Sequence, residues 1–179
     1  DGMGSGLEAC QESESIVDTL EQLVEAGFSG ETAARMVNSV LNLKTKNGRF
    51  STVDISMVDL YSGMCHFLKA GAATTFIKRD HWVEAISSTS LALGLVQQAD
   101  FESSTKKLYE GDFLIMVTDG VLDALPEGQA EEIMKEIILQ TNASAAQELG
   151  RGILERVLTY SGYCATDDMT VLAAGLWRN

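Results

Sequence analysis

The chain has 179 residues, 45% hydrophobic and 22% charged, which suits one globular domain with a real core. Its formal net charge of −13 argues against general binding to nucleic acid or an anionic membrane, which needs a basic footprint. It is compatible with hard cations, whose ligands are carboxylates. Cys10, Cys65 and Cys164 lack CxxC spacing. They argue against a disulfide framework or a thiolate zinc site and for a reducing compartment. No apolar run has the length needed to cross a bilayer.

After an opening Asp1-Gly2-Met3-Gly4-Ser5-Gly6, apolar residues at Ile16, Val17, Leu20, Leu23 and Val24 predict a helix over 7–26 with one buried face. Gly27 is its stop. Ser29 caps a second helix, with Ala33, Met36, Val37, Val40 and Leu41 as its stripe. Strands follow. Val53, Ile55 and Met57 alternate with Asp54 and Ser56, and Tyr61-Ser62-Gly63 turns the chain back into 64–68. Residues 74–78 and 82–86 form a second hairpin about Arg79-Asp80-His81. Residues 101–107 are a further strand. Gly111-Asp112 then leads into the apolar run Phe113 to Val117. Helices are expected over 130–139 and from a capping box, Ser144 to Gln147, to about Tyr160. Val171 to Leu176 is the last strand. Helices segregated from antiparallel strands indicate an α+β fold.

Three stretches carry the chemistry. The run 113–117 ends in Thr118-Asp119-Gly120, the chain opens on Asp1-Gly2, and Asp167-Asp168 precedes the last strand. A carboxylate at the mouth of a buried strand is costly unless paired, hydrogen-bonded or bound to metal. The expectation is that the fold gathers these acids around divalent metal. Magnesium and manganese take rigidly aimed oxygen ligands and keep several waters. Two such ions, roughly 3.5–4 Å apart, activate a water and clamp a phosphoryl group without a nucleophilic side chain. Each acid alone is more often a turn or cap residue than a ligand. The opening glycines also suit a phosphate loop, but they lack its Lys. His66 and His81 have no partner at ligand spacing and read as structural or surface residues.

Taken together, Asp1-Gly2-Met3-Gly4-Ser5-Gly6, Lys69-Ala70-Gly71-Ala72-Ala73, Gly111-Asp112, Thr118-Asp119-Gly120 and Asp167-Asp168-Met169-Thr170 resemble the metal-dependent Ser/Thr protein phosphatases of type 2C. The resemblance is to the bacterial branch typified by the stage II sporulation protein E phosphatase domain. The stretches Ser51 to Asp54 and Phe76 to Arg79 are also similar to that branch. The resemblance implies an αββα sandwich of antiparallel sheets flanked by helices. It implies two Mn²⁺ or Mg²⁺ ions. Asp1 would bridge both, assisted by the Gly2 carbonyl, and Asp119 and Asp167 would hold the second. Asp168 stands where many relatives have Asn; it would orient the loop or serve as the fallback ligand. The implied substrate is a phosphoserine or phosphothreonine on a regulatory protein, in this branch an anti-sigma-factor antagonist. The two leading helices resemble the branch's regulatory switch helices.

Two departures accompany the resemblance. The strands that precede Asp1 in the family, with a further acidic residue, are absent, and Ala92 stands where relatives have Pro. Residues 1–179 are therefore expected to be a single phosphatase domain cut from a longer protein, weak in metal binding and activity when isolated. An open sheet edge then favours a homodimer. A cytoplasmic location is expected, with no nucleic-acid or membrane contact by this segment. The competing reading is a catalytically weak or inactive phosphatase-like module that binds a protein partner.

Overall fold

The computed structural model describes residues 7–44, 50–96, 101–164 and 167–177. Among them run, in chain order, α1 (Leu7–Glu25), α2 (Gly30–Lys44), β1 (Val53–Val58), β2 (Met64–Ala70), β3 (Thr75–Arg79), β4 (Trp82–Ile86), β5 (Glu102–Lys107), β6 (Phe113–Val117), α3 (Asp119–Asp123), α4 (Ala130–Gln140), α5 (Ala146–Tyr160) and β7 (Val171–Gly175). The fold is α+β with two antiparallel sheets and helices. The chain divides into two compact units, 1–72 with 88–107 and 73–87 with 108–179.

The first unit holds α1, α2 and the sheet β1-β2-β5. Helix α1 ends as the pattern predicts. Gly27 has φ 92°, its N–H donates to Val24 O, and the Phe28 N–H donates to Leu23 O. This is a Schellman stop, which needs a residue at home in the left-handed region. Ser29 then caps α2, its Oγ accepting the Thr32 N–H at 3.2 Å. The core joins Ile16 and Leu20 of α1, Ala33, Ala34, Val37 and Leu41 of α2, and Val53, Leu68, Ala70 and Leu93. The helices meet it along a narrower stripe than the sequence predicts. Val17, Val24, Met36 and Val40 remain exposed, because they lie at the edge of each apolar arc.

The β1–β2 hairpin pairs Val58 with Cys65 and Asp54 with Lys69. At its turn, Asp59 accepts from the Tyr61 N–H at 3.0 Å and from Ser62 Oγ at 2.5 Å, the local side-chain closure that favours Asp in turns. Lys69 is 1% exposed and is paired with Asp54.

The second unit holds the sheet β4-β3-β6-β7 with α3, α4 and α5. Strands β3 and β6 are central. Phe76 and Ile115 are fully buried and pack with Met134 and Ile138 of α4 and Leu149, Ile153 and Val157 of α5. The expected capping box of α5 is not formed. Ala145 occupies the N-cap position with extended backbone and no side-chain cap bond, so the helix begins one residue later than Ser144 requires. Its C-terminus is a second Schellman stop. Gly162 has φ 65°, and the Tyr163 N–H donates to Leu158 O at 2.7 Å. Five residues on, the chain reaches Asp168.

Candidate metal centre

Strand β6 is apolar because it is central to its sheet, with Phe113, Leu114 and Ile115 all buried. Its ladder with β7 closes at Val117↔Val171. One residue further, the Thr118 N–H still donates to Thr170 O at 3.1 Å. The chain then leaves the sheet directly into α3, a short helix that the sequence does not announce, with Asp119 as its first residue.

Asp119 and Asp167 are both exposed and have the same local geometry. The Gly120 N–H donates to Asp119 Oδ1 at 2.9 Å, and the Asp168 N–H donates to Asp167 Oδ1 at 2.8 Å. Each carboxylate is thereby held by the amide that follows it. The two loops touch at Gly120. A Cβ built there would lie 2.4 Å from Asp168 O and 3.2 Å from Asp167 Cβ. Only glycine permits that approach, since real Cβ atoms do not come so close. Thr118 Oγ1 adds a bond to Asp168 O at 3.2 Å.

The fold thus brings Asp119, Asp167 and Asp168, separated by nearly 50 residues of chain, to one end of the β6–β7 pair. Asp1 and Gly2 lie outside the described residues. Among the described residues no group of three or more metal-capable His, Cys, Asp or Glu side chains converges. The ligand-capable side chains on the two touching loops are the carboxylates of Asp119, Asp167 and Asp168. That set suits a hard, oxygen-seeking divalent ion rather than a thiolate or imidazole metal.

Two lysines of the sheets have structural partners. Lys69 is paired with Asp54. Burial lowers its pKa, and the neighbouring Asp54 works against that shift. Lys78 donates to Ile138 O at 2.8 Å and Thr141 O at 2.7 Å, at the C-terminal end of α4, where a cation offsets orphan carbonyls. Burial lowers its pKa also. The sequence motifs contain Thr118 and Lys69 but do not reveal these partners. The usable signal was the hairpin turn at 59–63, which sets the register opposing Asp54 and Lys69.

A family model described as "Stage II sporulation protein E (SpoIIE)" matches residues 1–176. The chain is similar to the stage II sporulation protein E of Bacillus subtilis, with 32% identity over 100% of this chain and 22% of that protein. It is also similar to the phosphoserine phosphatase RsbU of Bacillus subtilis, with 22% identity over 96% of this chain and 52% of that one. Among solved structures, one of the PP2C phosphatase domain and a fragment of the regulatory domain of SpoIIE from Bacillus subtilis superposes with a TM-score of 0.91. That match has 32% identity and covers 100% of this chain and 52% of the other. The chain therefore spans about a fifth of the full Bacillus subtilis protein it matches.

Proposed function

The chain belongs to the stage II sporulation protein E family, a metal-dependent PP2C-like group, and from that premise we propose that residues 1–179 are a protein phosphatase domain. Its substrate is a phosphoserine or phosphothreonine on a regulatory protein, and within this branch the fitting partner is a phosphorylated anti-sigma-factor antagonist. The observation that carries the reading is the seating of Gly120 against Asp167 and Asp168, which sets two carboxylate-bearing loops side by side.

In this reading Asp1, the Gly2 carbonyl, Asp119 and Asp167 would hold two Mn²⁺ or Mg²⁺ ions. When bound, such ions activate water and neutralise charge on the transferred phosphoryl group. The chain's own part is positional. Asp119 and Asp167 offer carboxylate oxygens already fixed by their following amides. Asp168 anchors its loop through its backbone carbonyl on Thr118. A cytoplasmic location goes with this reading, supported by three free cysteines. No described helix is long and apolar enough to cross a membrane. A homodimer also goes with it. Among the described residues β7 ends its sheet, and Val171 to Gly175 carries no charge to discourage pairing with another strand.

The test is manganese-dependent hydrolysis of an aryl phosphate and of a phosphoserine peptide by the full-length protein. Asp119→Asn is expected to lower turnover more than about 100-fold. Turnover unchanged by that substitution rejects the site. A wild-type protein that binds its partner without hydrolysing anything would be the silent module instead.

A further inference from the structure

Thr118 stands where β6 changes into α3, and its hydrogen bonds are divided unusually. In a continuing antiparallel ladder its carbonyl would accept the Thr170 N–H. Instead the Thr118 carbonyl has turned to accept the Val121 N–H at 3.1 Å, opening α3. The Thr170 N–H goes to Thr118 Oγ1 at 2.9 Å. The same hydroxyl donates its proton to Asp168 O at 3.2 Å. One oxygen therefore replaces a lost ladder acceptor and also ties down the carbonyl that Gly120 abuts. As the N-cap residue of α3, Thr118 makes no side-chain cap bond of its own; the hydroxyl is committed wholly to the 168–170 loop.

We infer that Thr118 is a positioning residue of the metal centre, its hydroxyl coupling the Asp119 turn to the Asp167-Asp168 loop so that both carboxylates are presented together. The inference rests on the metal-centre reading above and adds to it the element that fixes the separation of the two acids. A hydroxyl is required because it must accept and donate at once. Valine has the shape of threonine but leaves the Thr170 N–H and Asp168 O without that partner. Serine keeps both bonds.

The experiment is calorimetric titration of Mn²⁺ into the metal-free full-length protein, comparing wild type, Thr118→Val, Thr118→Ser and Asp119→Asn. Thr118→Val is expected to weaken Mn²⁺ binding by about 10- to 100-fold, the usual scale for groups that orient metal ligands, with Thr118→Ser within about threefold of wild type. The inference is overturned if Thr118→Val binds like wild type, or if Thr118→Ser falls as far as Thr118→Val. Asp119→Asn separates the two levels. If it too binds Mn²⁺ like wild type, the metal-centre reading itself fails. If it abolishes binding while Thr118→Val does not, only the role of Thr118 fails. Should Thr118→Val not fold, hydrogen exchange at the Thr170 amide in wild type and Thr118→Ser decides. Protection in both is expected, and free exchange in either overturns the coupling.

Discussion

Arg79 donates from Nε to Oδ2 of Asp112 at 2.9 Å. The same oxygen accepts the Tyr109 N–H at 2.8 Å, and the guanidinium lies 5.0 Å from the Trp82 ring centroid and 5.4 Å from that of Tyr109. The pair joins the end of the β3–β4 hairpin to the turn that launches β6. Asp112 is buried, so removing its partner strands a charge. Arg79→Ala should cost about 3 kcal/mol in chemical denaturation. Arg79→Lys should recover only part of that, since an ammonium lacks the planar face that stacks on both rings. Equal stability of Arg79→Lys and wild type would remove the stacking from the account.

Gly120 allows no side chain. Gly120→Ala places a methyl against Asp168 O, where the ideal position is 2.4 Å away, and backbone cannot swing aside as a side chain can. We expect a loss of about 1–3 kcal/mol in stability. We expect Mn²⁺ affinity to fall as well, because the loops must part. Calorimetry and thermal unfolding of the same variant check both.

Asp167 and Asp168 should separate clearly. In the proposed site Asp167 contributes its carboxylate, whereas Asp168 contributes its backbone carbonyl to the loop contact. Asp167→Asn is expected to lower manganese-dependent turnover more than about 100-fold and Asp168→Asn less than about tenfold. The reverse order would make Asp168 the ligand.

Cys65 is fully buried on β2, and its thiol pKa is pushed up to about 11, first by burial and then by the Asp54 charge. The folded value exceeds the ordinary 9.0. The folded chain therefore keeps a proton that the unfolded chain has released. That contribution to stability is complete below pH 9 and is lost as pH rises through about 11. At pH 8 the thiolate fraction is about one in a thousand. A disulfide reagent should modify the exposed Cys10 and Cys164 in the native protein and reach Cys65 only after denaturation. Rapid labelling of three thiols at pH 8 would contradict this.

Local patterns carried much of the architecture. Alternation and a turn at Tyr61-Ser62-Gly63 located the first hairpin, and its register of Asp54 opposite Lys69 follows from where that turn is centred. Gly27 marked a helix end because left-handed backbone has few occupants. What escaped depends on distant partners or on competition between close alternatives. Asp119-Gly120 has the composition of a turn, yet its residues open α3, whose register is set by the Thr118 carbonyl. Ser144 has the right spacing for a cap, but Ala145 takes the place. The bonds of Thr118 to Asp168 and Thr170 span half a hundred residues, and nothing in a local window could assign them. The carboxylates themselves were legible as candidates; their meeting required the β6–β7 pairing.

The order in which the chain leaves the ribosome does not follow the order in which its parts pair. Strands β3 and β4 emerge as a hairpin inside the stretch that completes the first unit, and β3 must await β6, which starts at Phe113. At ordinary translation speeds of about 5–20 residues per second, that wait is roughly 2–7 s. Meanwhile Phe76 and Ile77 lie on a nascent hairpin lacking its neighbour, a configuration prone to intermolecular pairing. Lys78 and Arg79 end that strand, so the cations that later anchor α4 and Asp112 also act as gatekeepers while the rest of the chain is being made.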